Sequence, residues 1–169
     1  GFVTTAADPQ GRRTVMELLP KDLPPHVFPV GRLDRDTEGL LLFTDDGELA
    51  HRLAHPRYRI DKEYFAHVEG MPSDSALKRM RKGIDLGDRI TAPAEADIAP
   101  HPHGVEARDG RTWVRIVIHE GRKRQVRLMC AAVGHPVRSL VRTRVGEVTL
   151  AKTARGDVRH LSEREVASL

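Results

Sequence analysis

The sequence predicts an α+β domain built on a largely antiparallel sheet. The segment TWVRIVIH, residues 112–119, alternates apolar side chains with the period of a strand. The segment RQVRLMCAAVG, residues 124–134, has the spacing of a helix with one apolar face. Strands and helices are mixed along the chain without a strict strand–helix–strand alternation, which favours α+β over a parallel α/β sheet.

The N-terminal part is predicted to run from a short strand into a capped helix. The opening GFVTT has strand character, and prolines make residues 20–31 a connector. Residues 39–44 are almost wholly apolar, and we interpret them as one buried strand. Asp45 or Asp46 then caps a helix, GELAHRLAH, which Pro56 ends.

A strand and a second helix are predicted next. EYFAHVEG has strand character. SDSALKRMRKG follows as a helix that begins after the N-cap Ser73 and stops at Gly83. Leu77, Met80 and Ile84 lie on one side of this segment, so we expect them in the core.

The C-terminal part is predicted as a loop, a strand, a helix and two strands. Residues 85–110 contain several prolines and predict a loop, with HPH at 101–103 exposed in it. After the strand at 112–119, the turn EGRKRQ leads into the helix closed by Gly134. HPVRSLVRTRVGEVTL then predicts a pair of strands. The residues of the third helix expected to face inward are Val126, Met129 or Cys130, and Val133.

Composition excludes several classes of protein. The chain has 169 residues, 39% hydrophobic and 31% charged, which predicts one folded domain rather than disorder. It has no apolar run near 18 residues and no signal-peptide pattern, so we expect a cytoplasmic protein with no membrane contact. The single cysteine, Cys130, excludes an internal disulfide and a cysteine-based metal cluster, and its neighbours predict a small core residue.

Basic residues are concentrated in one segment. Residues 111–144 carry nine Lys and Arg and one acid, a net +8 in a chain whose total is +4. Eight of the nine are arginine, which suits forked contacts to phosphate. A solvated basic face is the alternative, but the bases fall on several consecutive elements, and this favours phosphate binding.

The acidic turn DRDTEG, residues 34–39, stands out in this basic chain. A calcium loop requires a polar ninth position and a glutamate at the twelfth, where this chain has Leu42 and Asp45. A pair of carboxylates for glycoside hydrolysis must face each other, and alternate residues of an extended turn do not. Two interpretations stay open: an acidic surface turn, or one reactive carboxylate, Asp34, on a turn held by Asp36 and Thr37.

Four motifs, taken together, resemble a known family. GRLDRDTEGLLLFTDDG, residues 31–47, is similar to the catalytic motif of the RsuA-type pseudouridine synthases, the branch that includes RsuA, RluB, RluE and RluF. HPRYRIDKEY, EGRKRQVRLMCAAVGHPV and SLVRTRVG resemble the second, third and closing motifs, in the same order, and GFVTT resembles the end of the first strand. Within the family, PVGRLDRDTEGLLL with HPRY is most similar to the RluB members, which act on large-subunit RNA.

The resemblance implies an isomerase that converts uridine to pseudouridine in ribosomal RNA, most similar to those acting on 23S RNA. It implies the pseudouridine synthase fold, with a central RNA-binding cleft, over residues 1–169. The reaction breaks the N1–C1′ bond and rejoins the base through C5, without hydrolysis or net redox change, so neither a metal nor a cofactor is expected. Such enzymes usually carry a small RNA-binding S4 domain before the catalytic domain, and this chain has none; we expect a trimmed core that acts as a monomer.

The resemblance also implies roles for individual residues. Asp34 is the expected nucleophile or base, and Arg127 is expected to pair with it and keep it ionised, with a phosphate contact as the alternative for Arg127. Tyr64 and Leu140 are expected to pack on either side of the flipped uracil. Residues expected to contact the rest of the RNA are Arg32, which enters the space that the base leaves, and the phosphate-binding Lys62, Arg122, Lys123 and Arg124.

Two further hypotheses are weighed against this one. His51 and His55, four apart after Glu48, have the spacing of helical zinc ligands, but no third ligand is suggested and Pro56 stops the helix. A non-catalytic ribosome-binding module on the same fold would have no use for a carboxylate facing a polyanion, and this favours the enzyme.

Overall fold

The computed structural model describes residues 1–100, 111–150 and 153–169. The helices are α1 (Gly47–Ala54), α2 (Asp74–Lys82), α3 (Gln125–Ala132) and α4 (Glu163–Ala167), and short 3₁₀ turns span Val15–Leu18 and Pro56–Tyr58. The strands are β1 (Phe28–Pro29), β2 (Thr37–Gly39), β3 (Phe43–Thr44), β4 (Lys62–Glu69), β5 (Glu95–Ile98), β6 (Arg111–Ile118), β7 (Val137–Val145) and β8 (Val148–Thr149).

A six-stranded sheet forms the centre, in the order β2-β7-β4-β6-β5, with β8 paired to β7. All of its pairs are antiparallel except β2 with β7, which is parallel. β1 and β3 form a separate two-stranded antiparallel sheet. The predicted α+β class with a largely antiparallel sheet is therefore confirmed, and the predicted final pair of strands is β7 with β8.

The apolar run at 39–44 is not one strand, so that prediction was wrong. Gly39 ends β2 with φ of +108°, and the chain re-enters strand structure only at Phe43, in the smaller sheet. A Cβ at Gly39 would lie 2.2 Å from the backbone oxygen of Arg142. Glycine thus allows β2 to approach β7 closely and then turn away, and the apolar residues after it serve a different sheet.

The segment predicted as a loop at 85–110 contains a strand. β5 pairs with β6 from Glu95↔Val117 to Ile98↔Val114. Short strands with mixed polar residues lack the alternation that predicts them from sequence. The remainder of that prediction, including HPH at 101–103, lies outside the described residues.

The larger core lies between one face of the sheet and helices α2 and α3. Buried side chains from the sheet, among them Ala66, Ile116 and Leu140, form one cluster with the apolar faces of both helices. The residues that the sequence predicts to face the core, and that lie in this cluster or pack against it, are Leu77, Met80, Ile84, Val126, Met129, Cys130 and Val133. Burial raises the pKa of the Cys130 thiol to about 12, as expected of a small core residue.

A smaller core joins α1 to the far end of β7. Leu53 of α1 packs with Val30, Leu42, Val145 and Val148. Asp46 caps α1 by accepting hydrogen bonds from the amides of Glu48 and Leu49, as predicted for Asp45 or Asp46. Through Val30, the connector before β2 packs into this smaller core.

No helix in the described ranges is long and apolar enough to cross a lipid bilayer.

Candidate active site

Asp34 lies in a turn immediately before β2, on an edge of the large sheet. The amide of Thr37 donates a hydrogen bond to the backbone oxygen of Asp34 at 2.8 Å, which closes the turn. From there β2 runs parallel to β7, with Thr37 opposite Leu140 and Gly39 opposite Arg142. Asp34 itself is half-buried, so its carboxylate stands at the margin between the sheet and solvent.

Tyr64 and Leu140 lie on the same face of neighbouring strands. Leu140 on β7 is opposite Ala66 on β4, two residues from Tyr64, and residues two apart on a strand share a face. Tyr64 is half-buried and packs against the larger core cluster that contains Leu140. Leu140 is only 4% exposed, so its expected contact with a base stays a prediction.

Arg127 reaches the acidic turn from α3, but not at the predicted residue. Its Nε lies 3.3 Å from a carboxylate oxygen of Asp36, and its Nη2 donates to the backbone oxygen of the same residue. Its Nη1 donates to the backbone oxygen of Val137 at 3.3 Å. The predicted pairing with Asp34 is therefore corrected: the ion pair is with Asp36, because residues 34–37 form a hydrogen-bonded turn, in which the side chains of Asp34 and Asp36 diverge.

Arg124 provides the second cation at the turn. It precedes α3 with φ of +55°, and its guanidinium donates two parallel hydrogen bonds to the carboxylate of Asp36. These hydrogen bonds, with the charge of Arg127, hold the pKa of Asp36 below its usual value despite partial desolvation. The pKa of Arg124 is raised, chiefly by its hydrogen bonds to Asp36 and in smaller part by the charge of Asp34. Arg124 therefore lies close enough to Asp34 for the two charges to interact.

Two further cations lie beneath the turn. Arg142 on β7 is 4% exposed, and its guanidinium donates to the backbone oxygens of Leu40 at 2.8 Å and Arg32 at 3.5 Å. Lys62, at the start of β4, donates to the backbone oxygen of Ile60. Desolvation, followed by the charge of Arg142, lowers the pKa of Lys62, although Asp61 opposes the shift. Lys62 is half-buried, and its expected contact with a phosphate stays a prediction.

The predicted phosphate cluster is only partly free. Arg122 forms an ion pair with Asp88 and donates to the backbone oxygen of Arg89. Arg124 is occupied by Asp36, as above. Lys123 is exposed, and within the described residues it forms neither an ion pair nor a hydrogen bond. The side chain of Arg32 is likewise exposed beside the turn.

Acids from elsewhere in the chain neutralise much of the basic segment. Arg115 pairs with Glu63 and Glu95, and Arg138 pairs with Glu69. The arginines of residues 111–144 that have a carboxylate oxygen within 4 Å are Arg115, Arg122, Arg124, Arg127, Arg138 and Arg144. The local net of +8 therefore overstates the charge available to a phosphate backbone.

Sequence reasoning missed two residues at this site. Arg142 was noted only as one of several bases, although strand alternation from Leu140 places both on one face. Thr4 accepts a hydrogen bond from the amide of Leu33 and donates one to its backbone oxygen. Nothing in the spacing of GFVTT predicts that contact, because it spans 29 residues of chain.

His51 of α1 and His55, which follows the helix, pack with an aromatic ring. The rings of His51 and His55 lie 4.9 Å apart and both contact the ring of Tyr58. Within the residues that the structure describes, no three His, Cys, Asp or Glu side chains are grouped in a way that could hold a metal ion.

Comparison with known proteins assigns the chain and its fold to a family. Residues 1–132, which include Asp34, Tyr64 and Arg127, match the family of RNA pseudouridylate synthases. The chain belongs to the RNA pseudouridylate synthase family. The resemblance seen in the four motifs is therefore confirmed.

Individual relatives of this RNA pseudouridylate synthase chain agree with the family match. It is 41% identical over its whole length to the ribosomal large subunit pseudouridine synthase B of Bacillus subtilis, covering 67% of that protein. It is 45% identical over 95% of its length to a protein of Aquifex aeolicus named an uncharacterized RNA pseudouridine synthase, covering 62% of it. A crystal structure of a pseudouridylate synthase superposes with a TM-score of 0.84 at 29% identity, over 99% of this chain and 69% of that one. The chain thus spans roughly two thirds of the length of these relatives.

Proposed function

We propose that residues 1–169 are the catalytic domain of an RNA pseudouridine synthase that isomerises a uridine in ribosomal RNA, the 23S RNA of the large subunit. The family match supports the reaction. The Bacillus subtilis relative and a 38% identical relative in Vibrio vulnificus are both named ribosomal large subunit pseudouridine synthases, which supports the choice of RNA. Action as a monomer in the cytoplasm stays a prediction.

The observation that carries the proposal is the arrangement around β7. The parallel pairing of β2 places the turn bearing Asp34 next to Leu140, and the antiparallel pairing of β4 places Tyr64 on the same face. A uridine flipped into this region meets the carboxylate of Asp34, the ring of Tyr64 and the side chain of Leu140. A uracil requires stacking surfaces, and its glycosidic bond requires a nucleophile or a base.

In this proposal Asp34 is the reactive group. It attacks C1′ of the ribose, attacks C6 of the uracil, or removes a ribose proton, and each route leads to cleavage of the N1–C1′ bond. The uracil rotates, a C5–C1′ bond forms, C5 loses its proton and N1 gains one. Arg127 and Arg124 act on Asp34 through the turn, because both are bound to Asp36.

The other site residues bind the RNA. Tyr64 stacks on the uracil and Leu140 packs on its other side, while the exposed Arg32 enters the space that the base has left. Lys62, Arg122, Lys123 and Arg124 contact phosphates. Arg122 does so by exchanging its carboxylate partner, Asp88, for a phosphate oxygen. Arg124 does so through the N–H groups that its two hydrogen bonds to Asp36 leave unused.

The proposal is tested with 23S and 16S transcripts labelled with tritium at C5 of uridine, because isomerisation releases that tritium to water. The wild-type chain and the Asp45→Asn variant, which changes an exposed carboxylate outside the site, are expected to release tritium from 23S RNA. Asp34→Asn is expected to release none while its RNA dissociation constant stays within about twofold, since the side chain keeps its size. Turnover by Asp34→Asn would refute the role of Asp34, and RNA binding without turnover by the wild type would identify a binding module instead.

A further inference from the structure

One side chain holds both ends of the segment that carries Asp34. Arg142 donates through Nε to the backbone oxygen of Leu40 at 2.8 Å and through Nη1 to that of Arg32 at 3.5 Å. Its own backbone oxygen accepts from the amide of Leu40 at 2.7 Å. Arg142 therefore binds both ends of residues 32–40, while Thr37–Gly39 between them pair with β7.

Among the described residues, no carboxylate lies close enough to Arg142 to form an ion pair with it. It is 4% exposed, and within the described residues it forms no ion pair. A buried guanidinium without a counter-ion is costly, and an apolar side chain of similar volume would avoid that cost. What an apolar side chain could not supply is the pair of donors to the two loop carbonyls.

Thr4 holds the same segment at the residue before Asp34. Its hydroxyl donates to the backbone oxygen of Leu33 at 3.0 Å and accepts from the backbone amide of Leu33 at 3.3 Å. Both polar backbone groups of Leu33 are thus bound to one side chain. The peptide that leads into Asp34 is fixed from the side of the N-terminal segment, while Arg124 and Arg127 fix the turn at Asp36.

We propose that Thr4 and Arg142 are positioning residues that fix the backbone on either side of Asp34 and so aim its carboxylate at the bound nucleotide. This inference rests on the proposed function in one respect, the role of Asp34. Neither residue touches the reacting atoms. Their effect is on the direction and mobility of the carboxylate, to which reaction rates are steeply sensitive.

The main test compares Thr4→Val, which keeps the shape and loses both hydrogen bonds, with Thr4→Ser, which keeps the hydroxyl. Thr5→Val is the matched control, because among the described residues the Thr5 hydroxyl bonds only to the nearby backbone oxygen of Ala7. Thr4→Val is expected to lower the single-turnover rate at saturating RNA by about ten- to a hundredfold, with RNA affinity within about twofold of wild type. Thr4→Ser is expected to recover most of the rate.

Arg142 is tested in parallel with Arg142→Lys, which keeps the charge but cannot bond both carbonyls. A rate as low as that of Thr4→Val supports the proposal. A wild-type rate would mean that charge alone matters and would overturn the role of Arg142. If Arg142→Lys fails to fold, the Thr4 variants still test whether fixing the backbone beside Asp34 affects the reaction rate.

Amide hydrogen exchange separates this inference from the proposed function. The Leu33 amide is expected to exchange at least about tenfold faster in Thr4→Val than in Thr4→Ser or Thr5→Val, because its acceptor is gone. If the wild-type chain makes no pseudouridine but the Leu33 amide exchanges faster in Thr4→Val, the proposed function is refuted. The conclusion that Thr4 fixes the backbone before Asp34 is then retained. If Leu33 does not respond, or Thr4→Val turns over at the wild-type rate, the positioning role is refuted.

Discussion

The guanidinium of Arg124 and the carboxylate of Asp36 form two parallel hydrogen bonds, with Nη1···Oδ1 at 2.9 Å and Nη2···Oδ2 at 2.8 Å. The contact joins the residue before α3 to the turn before β2, 88 residues apart in the chain. Because Asp34 lies two residues before Asp36, this pair ties the third helix to the candidate reactive group.

The Arg124–Asp36 pair is expected to contribute little to stability and more to activity. Both side chains are more than 40% exposed, so the coupling energy in a double-mutant cycle with Asp36→Asn and Arg124→Gln should be about 0.5–1 kcal/mol by chemical unfolding. The pKa of Asp36 is lowered from 3.8, so the coupling is complete at pH 7 and is lost as pH falls through the lowered pKa. A coupling energy that does not decrease as the pH is lowered from 7 into the acid range would contradict the assignment to this carboxylate.

Tyr64 is expected to act through its ring. Tyr64→Phe should keep most of the activity, whereas Tyr64→Leu should lose about 5- to 150-fold, since stacking on a base is worth about 1–3 kcal/mol. Single-turnover rates on the 23S transcript measure the difference. Equal losses in both variants would show that the hydroxyl has a role of its own.

Gly39→Ala is expected to destabilise the fold by about 3 kcal/mol, near the upper end of single substitutions. The new Cβ would lie 2.2 Å from the backbone oxygen of Arg142, at a φ of +108°. Gly47→Ala is the matched control, because nothing lies within 4 Å of a Cβ there and alanine favours the first turn of α1. The free energy of unfolding in urea measures both, and a Gly39→Ala protein as stable as Gly47→Ala would show that β2 can shift away from β7.

Cys130 is expected to be unreactive in the folded protein. It is 1% exposed, and a thiol pKa of about 12 leaves very little thiolate at pH 8. Labelling with a thiol-specific disulfide reagent should therefore proceed only as fast as the larger core opens, and at once in denaturant. Rapid labelling of the native protein would contradict the burial of α3 against the sheet.

Lys123 is expected to make a larger electrostatic contribution to RNA binding than the paired arginines. Lys123→Gln should lower the slope of log affinity against log salt by about 0.7–0.9, the value for one lost phosphate contact. Lys78→Gln, which removes an exposed lysine on α2, should leave the slope unchanged. Equal slopes for wild type and Lys123→Gln would place the phosphate contacts elsewhere.

Local patterns were sufficient for α1, α2 and α3, for the inward faces of α2 and α3, and for the family, whereas α4 and the smaller core were not predicted. The inward faces of α2 and α3, the caps at Asp46 and Ser73, and the final strand pair follow from residue spacing over one or two turns. Such features depend on neighbours in the sequence, so the sequence by itself determined them. The motif around Asp34 likewise depends on a contiguous stretch.

Only the tertiary structure decided how distant segments meet. It divided the apolar run at 39–44 between two sheets, because Gly39 approaches the backbone of Arg142. In the folded chain Arg127 forms its ion pair with Asp36 rather than with Asp34. Most of the basic residues in 111–144 pair with acids such as Glu63 and Asp88. Each of these contacts joins residues more than 30 positions apart, and their geometry is set by strand register and helix packing, which no local pattern encodes.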